Sequence, residues 1–179
     1  MTGSELRLRD ARPDERDTVA RLTLRAYEEY ASVMTPGAWR ALHDAVVVSL
    51  ADDAGVTRIV AERDGAIVGS VALYAPGAAA YGDLASRARW PEVRLVAVDP
   101  AERGTGVGRA LVLECVRRAT AAGAAALGLH TSRSMRAAAR LYERLGFVRD
   151  PDHDFHPPGA ELVEGYRLRL DGPATPQEL

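Results

Sequence analysis

The order of apolar runs in the second half of the chain most restricts its fold. From Val93 the sequence reads VRLVAV, a turn DPAERGTG, a run VGRALVLECVRRATAA, then AALGLHT and MRAAARLYERL. Short apolar runs alternate here with longer ones whose apolar residues recur every three or four positions, the pattern of strand, helix, strand, helix. Upstream, strand signals follow one another directly. Strands first and β-α-β-α afterwards predict an α/β (α+β) fold, a mixed central sheet of about seven strands with helices on both faces. A length of 179 residues suits one such domain over 1–179.

Local signals assign the remaining elements. Residues 6–9 alternate as an edge strand does. Val19, Leu22, Ala26 and Tyr30 recur at helical steps, which predicts a helix over 15–30. Thr35 as N-cap with Pro36 in the first helical position opens a second helix, running to about residue 50. Residues 57–63 and 66–74, joined by Asp64-Gly65, read as an antiparallel hairpin, because Asp-Gly accepts the positive φ angles of a two-residue turn. Residues 75–90 read as a loop, 93–98 and 125–131 as strands, 107–122 and 135–145 as helices, the last stopped by Gly146. A final strand pair, 147–149 and 163–170, flanks the loop DPDHDFHPPGAEL, and the tail 171–179 is expected to fray.

Composition narrows the function classes. No apolar stretch approaches the ~20 residues of a bilayer span, and the N-terminus MTGSELRLRD carries charge where an export signal has its apolar region, so a cytoplasmic location without membrane association is expected. A net charge of −2 without a basic block gives no footprint for nucleic acid. All 23 basic residues are arginine, so the chain offers no lysine for acylation. The one cysteine, Cys115, falls within an apolar helical pattern and is expected to be a buried thiol.

The turn ERGTGVGRA carries glycines at 104, 106 and 108, just before a helix. The first N–H groups of a helix lack internal acceptors and carry partial positive charge, so they attract anions. Glycines in the preceding loop let several N–H groups turn toward one point and remove the β-carbons that would obstruct a phosphate. Arg103 and Arg109 add charge, and strand, glycine loop and helix together make a pyrophosphate cradle. The same glycines also suit a tight turn with no ligand. The dinucleotide fingerprint fails, since it needs glycine at 109, and the P-loop fails in a chain without lysine.

RGTGVG resembles the Arg/Gln-x-x-Gly-x-Gly/Ala signature of the GCN5-related N-acetyltransferases (GNAT superfamily). The preceding strand VRLVAVDP, the long helix, the strand ALGLHT and the segment AARLYERLGF stand where that family has them, so the resemblance runs from residue 92 to 147. It implies acetyl-CoA as co-substrate, bound in a V-shaped gap between two splayed parallel strands, with no metal. By that resemblance the backbone of Val96, Ala97 and Val98 pairs with the pantetheine arm, and Arg103, Gly104, Thr105, Gly106, Val107, Gly108 and Arg109 hold the pyrophosphate. Tyr142 matches the tyrosine used as general acid. Glu92 matches a glutamate used as base by some members, and His130 aligns with a strand position where the ribosomal-protein alanine acetyltransferases carry glutamate; both remain candidates. The family's dimers are compatible with a homodimer here.

One position departs from the family. Seven residues before the tyrosine many members have asparagine, and this chain has Met135, which is not an amide donor. Arg136 and Arg140 read as an exposed helix face. Asp152, His153, Asp154 and His156 resemble metal ligands but lack regular spacing, and they read as a loop lining the acceptor cleft. Tyr27, Tyr30, Trp39, Tyr81 and Trp90 are candidates for its walls, with core packing the default, and His43 has no assigned role. The implied activity is acetyl transfer from acetyl-CoA to a primary amine of a small molecule or peptide. Alternatives are a non-catalytic acyl-CoA-binding module and an acyltransferase with another donor or a hydroxyl acceptor.

Overall fold

The computed structural model of the chain describes residues 5–78 and 89–171. Tyr81 and most of the tail therefore lie outside the described residues. Among the described residues seven strands form one sheet: β1 (Arg7–Asp10), β2 (Val56–Arg63), β3 (Ala66–Tyr74), β4 (Glu92–Val98), β5 (Ala126–Ser132), β6 (Val148–Arg149) and β7 (Val163–Arg169). In space they run β1-β2-β3-β4-β5-β7-β6. Every neighbouring pair is antiparallel except β4 and β5, which the helix α3 (Val107–Ala121) connects in parallel. The mixed sheet expected from the order of elements is thus observed.

Local chemistry explains the elements. Asp64 and Gly65 take φ of 51° and 77°, as the tight β2–β3 hairpin requires. The Thr35 side chain accepts a hydrogen bond from the Ala38 N–H at 3.3 Å and caps α2 (Pro36–Ala51). Gly146, at φ 89°, follows the short helix α4 (Arg136–Arg144). The first long helix, α1 (Arg16–Tyr27), is shorter than its periodicity predicts: residues 28–32 tighten into a 3-10 turn, so Tyr30 leaves the α-helical face while still meeting Tyr27 edge-on.

Adjacent residues of β3 point to opposite faces and receive different helices. A β-carbon on Gly69 would lie 2.7 Å from Val107 and 3.0 Å from Leu111, so the absence of a side chain there lets α3 approach closely. The next residue, Ser70, meets Thr23 of α1, hydroxyl to hydroxyl at 3.3 Å. Beneath α3 lies the main core, in which Ile59, Val93, Leu111, Val112, Leu127 and Phe147 are almost wholly buried. Cys115 belongs to this core, and burial pushes its thiol up to about 12, so it has the structural role expected of it.

β4 is bent. Gly69 and Ser70 of β3 pair with Val98 and Ala97, and Ala72 and Leu73 pair with Arg94 and Val93, so Val71 alone stands opposite Leu95 and Val96. This is a β-bulge, and Leu95 takes a left-handed φ of 53° to accommodate it. On the other side, the registered pairs with β5 are Glu92 with Gly128 and Val93 with Leu129. Beyond Val93 the two parallel strands part, and the gap expected between them opens.

The N-terminal strands are tied to α1 by charge. Arg9 reaches Glu15 at 2.7 Å and Glu62 at 3.0 Å, and Glu15 also accepts the Arg12 N–H at 2.7 Å. The Arg9 hydrogen bond holds the Glu15 carboxyl at about 2, against an ordinary 4.5. A carboxyl lowered in the folded state stabilises fully above its unfolded value and loses that stabilisation as pH falls toward its folded one. Glu15→Gln is accordingly expected to reduce stability at pH 7 by about 1–3 kcal/mol in urea denaturation. The difference from the parent protein should shrink between pH 4.5 and 2.

Candidate functional site

The glycine loop has the geometry its sequence predicts. Gly104 and Gly106 lie at φ 77° and 89°, and Gly106 is the N-cap of α3. A β-carbon at either position would meet nothing within 4 Å, so both face open space that a side chain would occupy. The first intrahelical bond runs from the Ala110 N–H to the Gly106 carbonyl at 3.0 Å, leaving the amides of residues 107–109 ahead of it without an acceptor inside the helix. Gly108 has a different task. A β-carbon there would touch Val98 and Leu141, each at 3.5 Å, so the start of α3 nestles between the end of β4 and helix α4.

The two arginines beside the loop diverge. Arg103 turns to α1, donating to the Ala26 carbonyl at 3.0 Å and pairing with Glu29 at 2.7 Å, so its charge is shared with the helix end. Arg109 stands exposed on the first turn of α3. Thr105 donates its hydroxyl to the Glu102 carbonyl at 2.7 Å and fixes the loop below.

Along β4, Ala97 is buried and Val96 and Val98 are half-buried. These residues follow the point at which pairing with β5 stops, so the backbone edge of β4 faces the gap there. Tyr142, on α4, is buried and meets Phe147 edge-on with ring centroids 6.0 Å apart. Its neighbour Leu141 is the residue that reaches the Gly108 approach, so α4 ties Tyr142 to the glycine loop.

Glu92 and His130, separate candidates in the sequence, form one buried pair. His130 Nδ1 lies 3.7 Å from Glu92 Oε1 where β4 and β5 last pair. Their side chains are 7% and 8% exposed. His130 Nε2 lies 3.0 Å from the main-chain carbonyl of His153, an obligate acceptor, so Nε2 carries the proton and Nδ1 presents its lone pair toward Glu92. Burial dominates both titrations: it lowers the imidazole to about 4 and raises the Glu92 carboxyl above its ordinary value, against the pull of Arg94 and His153.

The residues resembling metal ligands build the wall that holds this pair. Asp150 and His153 lie 3.0 Å apart side chain to side chain, Asp154 binds Arg149 in two-pronged fashion and accepts the Gly165 N–H at 2.8 Å, and His156 bonds to the Ala160 carbonyl at 2.8 Å. Asp152 is exposed. Trp90 stacks between His153 and Arg167, and it lies over Gly128, where a β-carbon would come within 2.6 Å of its indole nitrogen. Tyr27 lines the neighbouring cavity as a cleft wall. Trp39 packs against His43 instead, and Arg136 and Arg140 lie exposed.

That cavity, of about 430 Å³, lies between α2, the strands β4 and β5 and the 155–163 loop. Arg94 and Leu95 line it from β4, and His130, Thr131 and Ser132 from β5. Sequence reasoning missed Arg94, which is buried with its guanidinium 4.9 Å from the Tyr74 ring center. A charge inside the apolar run EVRLVAV was the available signal. Met135 also lines this cavity.

Comparison with known proteins bears on the fold and the family. A mycothiol acetyltransferase of Thermobispora bispora is 40% identical over 92 residues, which is 50% of this chain but only 29% of that relative's length. A GCN5-related N-acetyltransferase structure from Rhodopseudomonas palustris superimposes with a TM-score of 0.69 at 21% identity, covering 95% of this chain and 99% of that one. A GNAT acetyltransferase from Brucella melitensis, solved in complex with acetyl-CoA, gives a TM-score of 0.62 at 22% identity, over 97% of this chain and 93% of that one. The profile of the acetyltransferase (GNAT) family matches from residue 17 to residue 147, taking in α1, the splayed strands, the glycine loop and Tyr142, and the chain therefore belongs to the GNAT family of acetyltransferases.

Proposed function

We propose that the protein transfers an acetyl group from acetyl-CoA to a primary amine by direct attack in a ternary complex. The observation that carries this reading is the buried Glu92–His130 pair at the fork of β4 and β5, with His130 on the cavity wall. The amides of residues 103–109 would hold the pyrophosphate, since Gly104 and Gly106 leave open space in front of the α3 N-terminus. The free edge of β4 over Val96, Ala97 and Val98 offers backbone groups to an extended pantetheine arm. When bound, the thioester supplies an activated acetyl group.

The chain's own residues then have three tasks. The amine must arrive without its proton, and the Glu92 carboxylate, which becomes available as pH rises, takes that proton, while the neutral His130 imidazole, its Nε2–H held on the His153 carbonyl, turns its Nδ1 lone pair toward the carboxyl so formed. A backbone N–H near Val98 meets the oxygen that gains negative charge as the nitrogen–carbon bond forms. As the carbon–sulfur bond breaks, the Tyr142 hydroxyl gives its proton to the departing thiolate. Acceptor proton and leaving-group proton are thus handled by different groups.

Three measurements test this. Gly106→Val places a β-branched residue at a left-handed φ in the cradle and is expected to weaken acetyl-CoA binding at least tenfold by calorimetry; unaltered affinity would remove the loop from the site. Tyr142→Phe should lower kcat roughly 100-fold or more with acetyl-CoA affinity within about twofold, and full turnover would take the acid role from Tyr142. The kcat profile should rise with pH through a group titrating above the ordinary carboxylate value of 4.5. Glu92→Gln is expected to abolish or move that limb, and His130→Ala to shift it; an unchanged limb in Glu92→Gln eliminates that carboxyl as base.

A further inference from the structure

The cavity beside the Glu92–His130 pair has a chemistry of its own. Met34, Leu42, Val46, Met135, Phe155 and Pro158 surround it, with alanines of α2 between them. Phe155 meets the His130 ring edge-on, 5.2 Å between centroids, so the apolar wall reaches to the proposed base. Charge is scarce. Among the described lining residues the carboxylate is that of Glu161, which already accepts the Ser134 hydroxyl at 2.6 Å, the cation is Arg94, and His156 is engaged by the Ala160 carbonyl, which leaves Tyr27 and Ser49 as the other polar side chains beside His130, Thr131 and Ser132. The hydroxyls of Thr131 and Ser132 are buried from solvent and so are turned away from the open space.

Such a lining selects by class of molecule. An amino sugar would lose water from several hydroxyls and find few partners, and each buried hydroxyl without a hydrogen bond costs about 1–3 kcal/mol. A polyamine would bring a second ammonium into the apolar space between α2 and the 155–163 loop, where the lining carboxylate, Glu161, is already engaged by Ser134. An apolar body instead gains by leaving water, and a cavity of about 430 Å³ lies within the range that encloses small ligands. The same dry wall disfavours the ammonium form of the acceptor, which helps present the free amine to be acetylated.

We infer that the acceptor is a small primary amine carried on an apolar body, an arylalkylamine or a medium-chain alkylamine, whose nitrogen reaches the Glu92–His130 pair while its body fills the space between α2 and the 155–163 loop. This inference rests on the acetyl-transfer reading for its reaction and on the cavity alone for its choice of ligand. The reaction breaks the thioester carbon–sulfur bond and forms the amide carbon–nitrogen bond, leaving N-acetylated amine and free thiol.

The test uses the full chain with 2-phenylethylamine and hexylamine against glucosamine and spermidine, in two arms. In thiol-release assays with acetyl-CoA, the apolar amines should show kcat/KM at least 100-fold above the polar ones. In calorimetric titration of the protein without acetyl-CoA, 2-phenylethylamine should bind at least tenfold more tightly than glucosamine or spermidine. Ala45→Gln puts an uncharged polar amide on the cavity wall at an exposed helix position. It should weaken 2-phenylethylamine binding at least fivefold, with an unchanged circular dichroism spectrum and melting curve. Tighter binding or faster turnover of glucosamine or spermidine, or phenylethylamine binding that Ala45→Gln leaves unchanged or tightens, would overturn the inference. Preferential binding of the apolar amine with no thiol release would uphold the cavity's choice of ligand and overturn the transferase reading instead.

Discussion

The parting of β4 from β5 is the constraint on which the site depends. Two parallel strands in register would hydrogen-bond along their whole length and leave no room between them. Here pairing is registered at Glu92–Gly128 and Val93–Leu129, after which the bulge at Leu95 and Val96 bends β4. A non-glycine residue at positive φ costs free energy, and the surrounding pairing with β3, on both sides of the bulge, holds it in place. The consequence is a sheet whose middle is split: a backbone edge faces one side of the fork, and the buried pair sits at its apex.

Burial then gives the pair its chemistry. A carboxyl and an imidazole in water would titrate near their ordinary values and differ in charge at neutral pH. Removed from water, each favours its neutral form, so the carboxyl rises and the imidazole falls. The His153 carbonyl fixes which imidazole nitrogen keeps its proton, and that carbonyl is held in turn by the turn of chain around Asp150 and by the Trp90 stack. The 150–162 loop, whose histidines and aspartates lack the regular spacing of metal ligands, thereby acts as scaffold for the buried Glu92–His130 pair. Its far end, with Phe155 and Pro158, also lines the apolar cavity, so one loop shapes both the surroundings of the pair and the cavity beside it.

Much of this was legible before any coordinates. Asp64-Gly65, Thr35-Pro36 and Gly146 each act within a few residues of chain, and each produces the turn, cap or stop that its chemistry dictates. The glycine alternation at 104 and 106 belongs to the same group, because a positive φ and a helix start are local facts. The end of α1 was less legible: the apolar period continues to Tyr30, but the chain tightens after Tyr27, and nothing in the period itself distinguishes an α turn from a 3-10 turn.

The elements, their order and the residue types available for acid–base work can be read along the chain, since these follow from short-range sterics, hydrogen bonding and periodic burial. It takes the folded arrangement to set Glu92 and His130 side by side, to bend β4 at a leucine bearing no mark of it, and to turn Met135 and Arg94 to the same cavity. Those outcomes depend on which strands lie side by side and on how far each group is withdrawn from water. Contacts between residues distant in sequence set both, and a linear pattern carries no record of them.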